Sequence, residues 1–262
     1  MLPRRRLGRH GPEVSALGLG TVKIGRNQGI KYPQGFDLPD DRQVLTLLDC
    51  ARELGINVLD TAPAYGSSEE RLGRLLHDRE RWVLVSKAGE DFSAGQSHFD
   101  FSAAGLRASV ERSLRRLRTD RLDVLLLHSD GNDLKLLAEG ALATLVRLRE
   151  EGKVVAVGVS SKTVDGALAC LAQADVMMLS YRPDHLVEAP VLSACQEQGI
   201  GVLIKKALSS GHLGGDPARQ AQEQLRFIWD HPATSCIVVG TLNPQHLRSN
   251  AAAFSAPAGE AS

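Results

Sequence analysis

Four residues of types that can hold or move a proton stand at or just beyond the ends of three short apolar runs: Asp60, Tyr65, Lys87 and His128. A free tyrosine has a pKa near 10, too high for easy proton exchange at neutral pH. A lysine cation beside it favours the phenolate and lowers that value. A carboxylate next to the lysine keeps it charged and in place, and a histidine facing the tyrosine can orient a substrate oxygen or relay a proton. Such a group suits protonation of a carbonyl oxygen while hydride arrives from elsewhere. No side chain delivers hydride, so the set implies a cofactor. Taken singly, an Asp, Lys or His at a strand end is more often structural, and a histidine after three leucines is often a core residue bonded to backbone. Joint placement on three successive strands, with a tyrosine in reach, favours chemistry.

The elements that must position these residues alternate along the chain. Ser15–Thr21 reads as a first buried strand, and Asp40-Asp41-Arg42-Gln43 resembles a capping box opening a helix that Gly55 stops. Ile56–Asp60 is a second strand, followed by a helix from Ser67 with Glu70 as its capping partner. Trp82–Ser86 is a third strand, and a long helix from Ser102 carries Leu106, Val110, Leu114 and Leu117 at helical spacing. Asp123–Leu127 is a fourth strand, apolar enough for burial on both faces. A helix ending at Gly152 separates it from Val154–Val159; Val176–Ser180, Gly201–Lys205 and Cys236–Val239 complete eight strands. Asp216-Pro217 and Asn243-Pro244 read as N-caps followed by proline at the first helical position.

Strands separated by crossover helices must pair in parallel. Eight such units in 262 residues predict an α/β (β/α)8 TIM barrel with a closed, eight-stranded parallel sheet, one domain over residues 1–254 and a frayed tail over 255–262. A doubly wound sheet usually places a glycine-rich fingerprint after its first strand. Gly18-Leu19-Gly20 runs into Thr21-Val22-Lys23 and lacks the third glycine. In a barrel, strand ends on one face carry the site, and neighbouring strands roughly 4.8 Å apart let Asp60, Tyr65, Lys87 and His128 converge.

Lys+Arg and Asp+Glu both number 31, so no electrostatic footprint favours nucleic acid or an acidic membrane surface. No apolar run approaches the roughly 20 residues that span a bilayer, and the Arg4-Arg5-Arg6 run is not a secretion signal. Cys50, Cys170, Cys195 and Cys236 form no C-x-x-C pair; Cys50, Cys170 and Cys195 sit in apolar helical patterns and read as small core residues, and a reduced cytoplasmic chain is expected. No metal site is expected: Asp123 and His128, five apart on one strand, face opposite sides.

The stretch Gly55–Glu69 (GINVLDTAPAYGSSE) resembles the signature of the aldo-keto reductases. Support comes from Ser15–Thr21, Val85-Ser86-Lys87, Leu125-Leu126-Leu127-His128, Gly158-Val159-Ser160 and Val239-Gly240-Thr241 with Asn243-Pro244, Leu247 and Asn250. The resemblance implies that Asp60, Tyr65, Lys87 and His128 are the catalytic tetrad, with Tyr65 as general acid in reduction and general base in oxidation. It implies NADPH/NADP, or NADH, extended across the barrel top, and a small carbonyl or alcohol as substrate. Thr21 would lie near the nicotinamide, with Ser160, Ser161 and Met178 at its carboxamide. The loop from Leu208 to Gly215, with Lys206 beside it, would pass the pyrophosphate. Gly240, Thr241, His246 and Asn250 would surround the adenosine half, at a helix start that offers free N–H groups to phosphate.

Three departures follow. The family usually has Ser-Asn where this chain has Ser160-Ser161, a glutamine where it has Met178, and basic residues near the 2′-phosphate where it has Leu242, His246 and Arg248. An amide both donates to and accepts from a carboxamide, whereas serine is shorter and methionine a weak acceptor, so the ring is expected to be held less firmly. Lys205-Lys206 reads equally as an anion site or as a pair with one member in solvent, Tyr181-Arg182 as pocket-lining or structural, and Arg112, Arg115, Arg116 and Arg118 as a solvated face. A slow nucleotide-binding regulator on the same fold, and a cofactor-free aldolase or isomerase with Lys87 as Schiff-base nucleophile, are the competing functions.

Overall fold

The computed structural model describes residues 1–9, 11–29, 35–208 and 216–255. Eight strands close into a parallel barrel: β1 (Leu17–Gly20), β2 (Val58–Asp60), β3 (Val83–Ala88), β4 (Leu122–His128), β5 (Val154–Ser160), β6 (Val176–Ser180), β7 (Gly201–Lys205) and β8 (Thr234–Val239). Each is followed by a helix on the outside: α1 (Asp41–Glu53), α2 (Ser68–Leu75), α3 (Ala103–Leu117), α4 (Ala141–Glu150), α5 (Val164–Cys170), α6 (Ala189–Gln198), α7 (Pro217–Asp230) and α8 (Pro244–Ala252). The expected (β/α)8 architecture is the one observed.

Two cores explain the nearly continuous apolar strands. Alternate residues Val58, Val83, Val85, Val124, Leu126, Ala156, Val176, Met178, Leu203 and Cys236 fill the barrel interior. Their neighbours Leu59, Leu84, Leu125, Leu127, Val157, Met177, Val202, Ile204 and Ile237 pack outward among the helices. Both faces of each strand are therefore dry, as a parallel sheet inside a helical ring requires. All four cysteines are buried and free.

Helix starts follow their local chemistry. Asp40 and Gln43 form the expected reciprocal capping box on α1. Ser102 caps α3, and Asp216 and Asn243 cap α7 and α8 ahead of proline. Ser67 stands at the N-cap of α2 without a side-chain bond, and Glu70 instead faces Arg116 at 3.4 Å. Arg112 and Arg116 are likewise not a solvated face: Arg112 pairs with Asp91 at 2.6 Å and Arg116 lies 3.6 Å from the buried Glu69. Each partner comes from another element, which helical spacing within α3 does not reveal.

Two hairpins were not expected. The first strand is shorter than Ser15–Thr21; Glu13–Ser15 pairs antiparallel with Arg4–Arg6, and Leu7 and Val14 join the barrel-interior cluster. Arg5 donates to the carbonyls of His231 and Thr234 at 3.0 and 2.7 Å, tying this plug to the start of β8. A second hairpin, Glu90–Ser93 with Gln96–Phe99, follows β3.

β5 and β6 approach so closely that a Cβ on Gly158 would lie 1.6 Å from the carbonyl oxygen of Val176. Gly158→Ala must push the strands apart. The expected loss is roughly 3 kcal/mol, the upper end of ordinary overpacking penalties, read as a lowered urea midpoint. A variant as stable as the parent would show that the pair separates freely.

Candidate active site

The same two-residue alternation that fills the barrel also builds its open end. Continuing along the inward face from Val58, Val85, Leu126, Gly158, Met178 and Leu203, the next residues are Asp60, Lys87, His128, Ser160, Ser180 and Lys205. All six line a single cavity of about 1280 Å³, together with Tyr65. That exceeds the roughly 300–1,000 Å³ of pockets for drug-sized ligands, and leaves room for an extended dinucleotide and a small substrate.

Lys87 is 1 % exposed, and its Nζ donates to Asp60 Oδ1 at 2.5 Å and to the Thr61 carbonyl at 2.9 Å. Burial pushes the Asp60 carboxyl above the ordinary carboxylate range, and the Lys87 ammonium pulls against it. Tyr65 reaches this pair from a single 3-10 turn, Pro63–Tyr65. Its hydroxyl donates a long bond to Asp60 Oδ2 at 3.4 Å, and Lys87 Nζ lies 4.7 Å from its ring centroid. The turn closes only because Gly66, at φ +61°, sits where a Cβ would be 2.2 Å from the Gly25 carbonyl oxygen.

The His128 ring meets the Tyr65 ring edge-on, with centroids 6.4 Å apart. Burial first, then the charges of Lys87, Lys205, Lys162 and Arg26, hold its imidazole well below the ordinary histidine range, so it is neutral at neutral pH. Its Nδ1 lies 3.1 Å from Glu90 Oε2, and Glu90 Oε1 accepts from Ser97 Oγ at 2.7 Å. The hairpin after β3 thus reaches the site through Glu90, a residue with no sequence signal because it stands in a short polar strand.

Of the expected cofactor residues, Ser160, Ser161, Met178, Lys206, Leu208, Gly240, Thr241, His246 and Asn250 all line the cavity. Residues 209–215 of the loop after Leu208 lie outside the described ones. Thr21 is the exception. It is fully buried and absent from the lining; its hydroxyl donates to the Asp60 carbonyl at 2.9 Å and accepts from Ser68 Oγ at 2.7 Å. These bonds tie the residue just after β1 to the end of β2 and to α2. Arg248, near the adenosine end in sequence, points elsewhere and pairs with Glu53 at 2.9 Å. Tyr181 packs on Phe227 outside the cavity, with ring centroids 5.4 Å apart.

Lys205 is the residue that sequence reasoning left unresolved. It is part-buried, and its Nζ crosses to the end of β5, donating to Ser160 Oγ at 2.8 Å and to the Ser161 carbonyl at 2.7 Å. Alternation from Leu203 was the available signal. Ser161 Oγ, buried in the same wall, has no hydrogen-bond partner among the described residues. This wall therefore offers an uncommitted hydroxyl and a lysine with one further N–H when charged, which fits a polar ring substituent such as a carboxamide. At the other end, Asn243 caps α8 by accepting from Gln245 N, and Thr241, His246 and Asn250 line the cavity beside that helix start. That fits a phosphate-bearing ligand. No cluster of potential metal ligands occurs among the described residues, and no helix among them is long and apolar enough to cross a membrane.

The family model described as "Aldo/keto reductase family" matches residues 16–224. The chain is 31% identical over 243 residues to D-threo-aldose 1-dehydrogenase of a Pseudomonas species, covering 81% of this chain and 71% of that protein. It is 30% identical over 223 residues to L-galactose dehydrogenase of Arabidopsis thaliana, covering 80% and 66%. A crystal structure assigned to the aldo-keto reductases, from Pseudomonas aeruginosa, superposes with a TM-score of 0.87 at 48% identity, covering 96% of this chain and 93% of the other. The holo form of an aldo-keto reductase from Bacillus halodurans shares the fold, with a TM-score of 0.81 at 23% identity over 100% and 93% of the two chains. The matched span takes in Asp60, Tyr65, Lys87, His128 and Lys205, and the chain belongs to the aldo/keto reductase family of NAD(P)-dependent oxidoreductases.

Proposed function

We propose that this protein interconverts an aldehyde or ketone and its alcohol, with Tyr65 as the proton donor in reduction and the proton acceptor in oxidation. The observation that carries the reading is the convergence of Tyr65, the Lys87–Asp60 pair and neutral His128 at the floor of one dinucleotide-sized cavity. A nicotinamide cofactor bound there supplies or takes up the hydride. Tyr65 turns from its long bond to Asp60 and donates to the carbonyl oxygen. The Lys87 ammonium, close to the ring, stabilises the phenolate that remains. Asp60 fixes Lys87 in that position, and His128 helps hold the substrate oxygen in reach. In oxidation the same groups work in reverse, with the phenolate accepting the alcohol proton.

The cofactor is NADPH/NADP, with NADH usable. Bidentate arginine recognition of a 2′-phosphate would give a steep preference, but Arg248 is engaged with Glu53 and His246 is the basic side chain of that helix start in the cavity. Two relatives are named as sugar dehydrogenases, so aldoses are the first alcohols to test. A panel of aldehydes, ketones and aldoses with NADPH and NADH, followed at the nicotinamide absorbance band, is expected to give turnover with a modest NADPH preference. No turnover, and no single-turnover transfer from bound reduced cofactor, would rule the reading out.

A further inference from the structure

We propose that Lys205 is a specificity-determining residue that makes this site hold reduced nicotinamide more tightly than oxidised nicotinamide, by placing a positive charge beside the ring that becomes cationic when it gives up hydride. The inference rests on the proposed function. The reacting carbon must lie within contact of the carbonyl held at Tyr65 and His128, so the ring lies at that end of the cavity. Lys205 lines the same end: its Nζ is anchored at the tip of β5 by Ser160 Oγ and the Ser161 carbonyl, and its charge is felt by both Asp60 and His128. A dihydronicotinamide is neutral and indifferent to that charge. A pyridinium is repelled by it, in a site where low local dielectric strengthens the repulsion.

The charge is also adjustable. Burial, opposed by Glu188 and reinforced by Lys206, Lys87 and Lys162, brings the Lys205 ammonium down to about 7. The groups around it are Glu188 and His185 from the segment between β6 and α6, Lys162 beyond β5, Lys87 and Asp60 across the barrel mouth, His128 on β4 and Lys206 beside it. Loss of the proton does not dismantle the wall, because a neutral amine still has the two N–H groups that Ser160 and Ser161 accept. Bound pyridinium lowers the Lys205 value further. Oxidised cofactor therefore binds more weakly as pH falls through 7, and the preference for reduced cofactor grows in that direction.

The test is the ratio of Kd for NADP+ to Kd for NADPH, measured by fluorescence titration at pH 6 and pH 8.5. The ratio cancels whatever the two forms share, including the 2′-phosphate and its contact with His246. If the repulsion is worth one pKa unit, the wild-type ratio should be about fivefold higher at pH 6 than at pH 8.5. Lys205→Met should lower the ratio at pH 6 and flatten its pH dependence, while NADPH binding shows that the fold survives. Lys205→Arg, charged at both pH values, should keep a high ratio that no longer depends on pH. A Lys205→Met ratio matching wild type at both pH values, or a pH slope retained by Lys205→Arg, would overturn the assignment. Failure of wild type to bind either form would instead overturn the oxidoreductase reading on which it rests.

Discussion

Tyr65→Phe is expected to lower kcat by roughly 100-fold or more, the usual range for loss of a general acid, while cofactor affinity changes little. The hydroxyl is the only group the substitution removes. Its hydrogen bond to Asp60 is 3.4 Å long, too long to contribute much to the fold. The ring stays, and with it the packing against the Lys87 ammonium and the His128 edge. The loss should therefore fall on the proton step. Steady-state kinetics with the best carbonyl from the panel, beside a cofactor titration of the same variant, separates the two. Near-normal turnover would remove Tyr65 from the mechanism, and an equal loss of cofactor binding would make it a scaffold residue.

Lys87→Met should be as damaging to turnover and, unlike Tyr65→Phe, should also destabilise the protein in a pH-dependent way. Removing one partner of a buried ion pair costs about 3–5 kcal/mol, because the remaining charge is stranded. Lys87 and Asp60 are 1 % and 4 % exposed, so Asp60 is such a charge. It can relieve the cost by taking a proton: its carboxyl already lies above the ordinary range, pushed there by burial, and without Lys87 it rises further. A carboxyl whose folded value exceeds its unfolded value binds more protons in the folded state. The stability from that protonation is present at low pH and lost as pH rises through the folded value. The Tm deficit of Lys87→Met relative to wild type should thus be smaller at pH 5 than at pH 8. A deficit equal at both would show that Asp60 finds another cation or is reached by water, and would weaken the view that Lys87 is held in place by Asp60.

What was legible in the residues was whatever local chemistry decides. The capping box at Asp40–Gln43 and the Asn-Pro and Asp-Pro starts of α8 and α7 satisfy backbone groups within a few residues of themselves, so they can be read without knowing the fold. The eight apolar runs were also legible, since a strand dry on both faces needs unbroken hydrophobicity. Once those runs imply a barrel, the ends of β2, β3 and β4 must meet, which brought Asp60, Lys87 and His128 together from sequence alone.

Contacts between elements distant in sequence were decided by the tertiary structure. The hairpins Arg4–Arg6 with Glu13–Ser15 and Glu90 to Phe99 have strands of three and four residues, too short and polar to carry a period, and are stabilised by what they close against. Thr21, read from sequence beside the nicotinamide, has its hydroxyl bonded to the Asp60 carbonyl and to Ser68 from neighbouring elements, which no local pattern reveals. Glu90 beside His128 and Arg116 beside Glu69 are pairings across 38 and 47 positions of chain. Lys205 shows the boundary most sharply. Alternation from Leu203 determines that it faces inward, but its bonds to Ser160 and Ser161, 45 and 44 residues away, exist only once the barrel has closed. Composition and spacing fix which residues can line a site; the field they create there depends on distances that only the closed sheet sets.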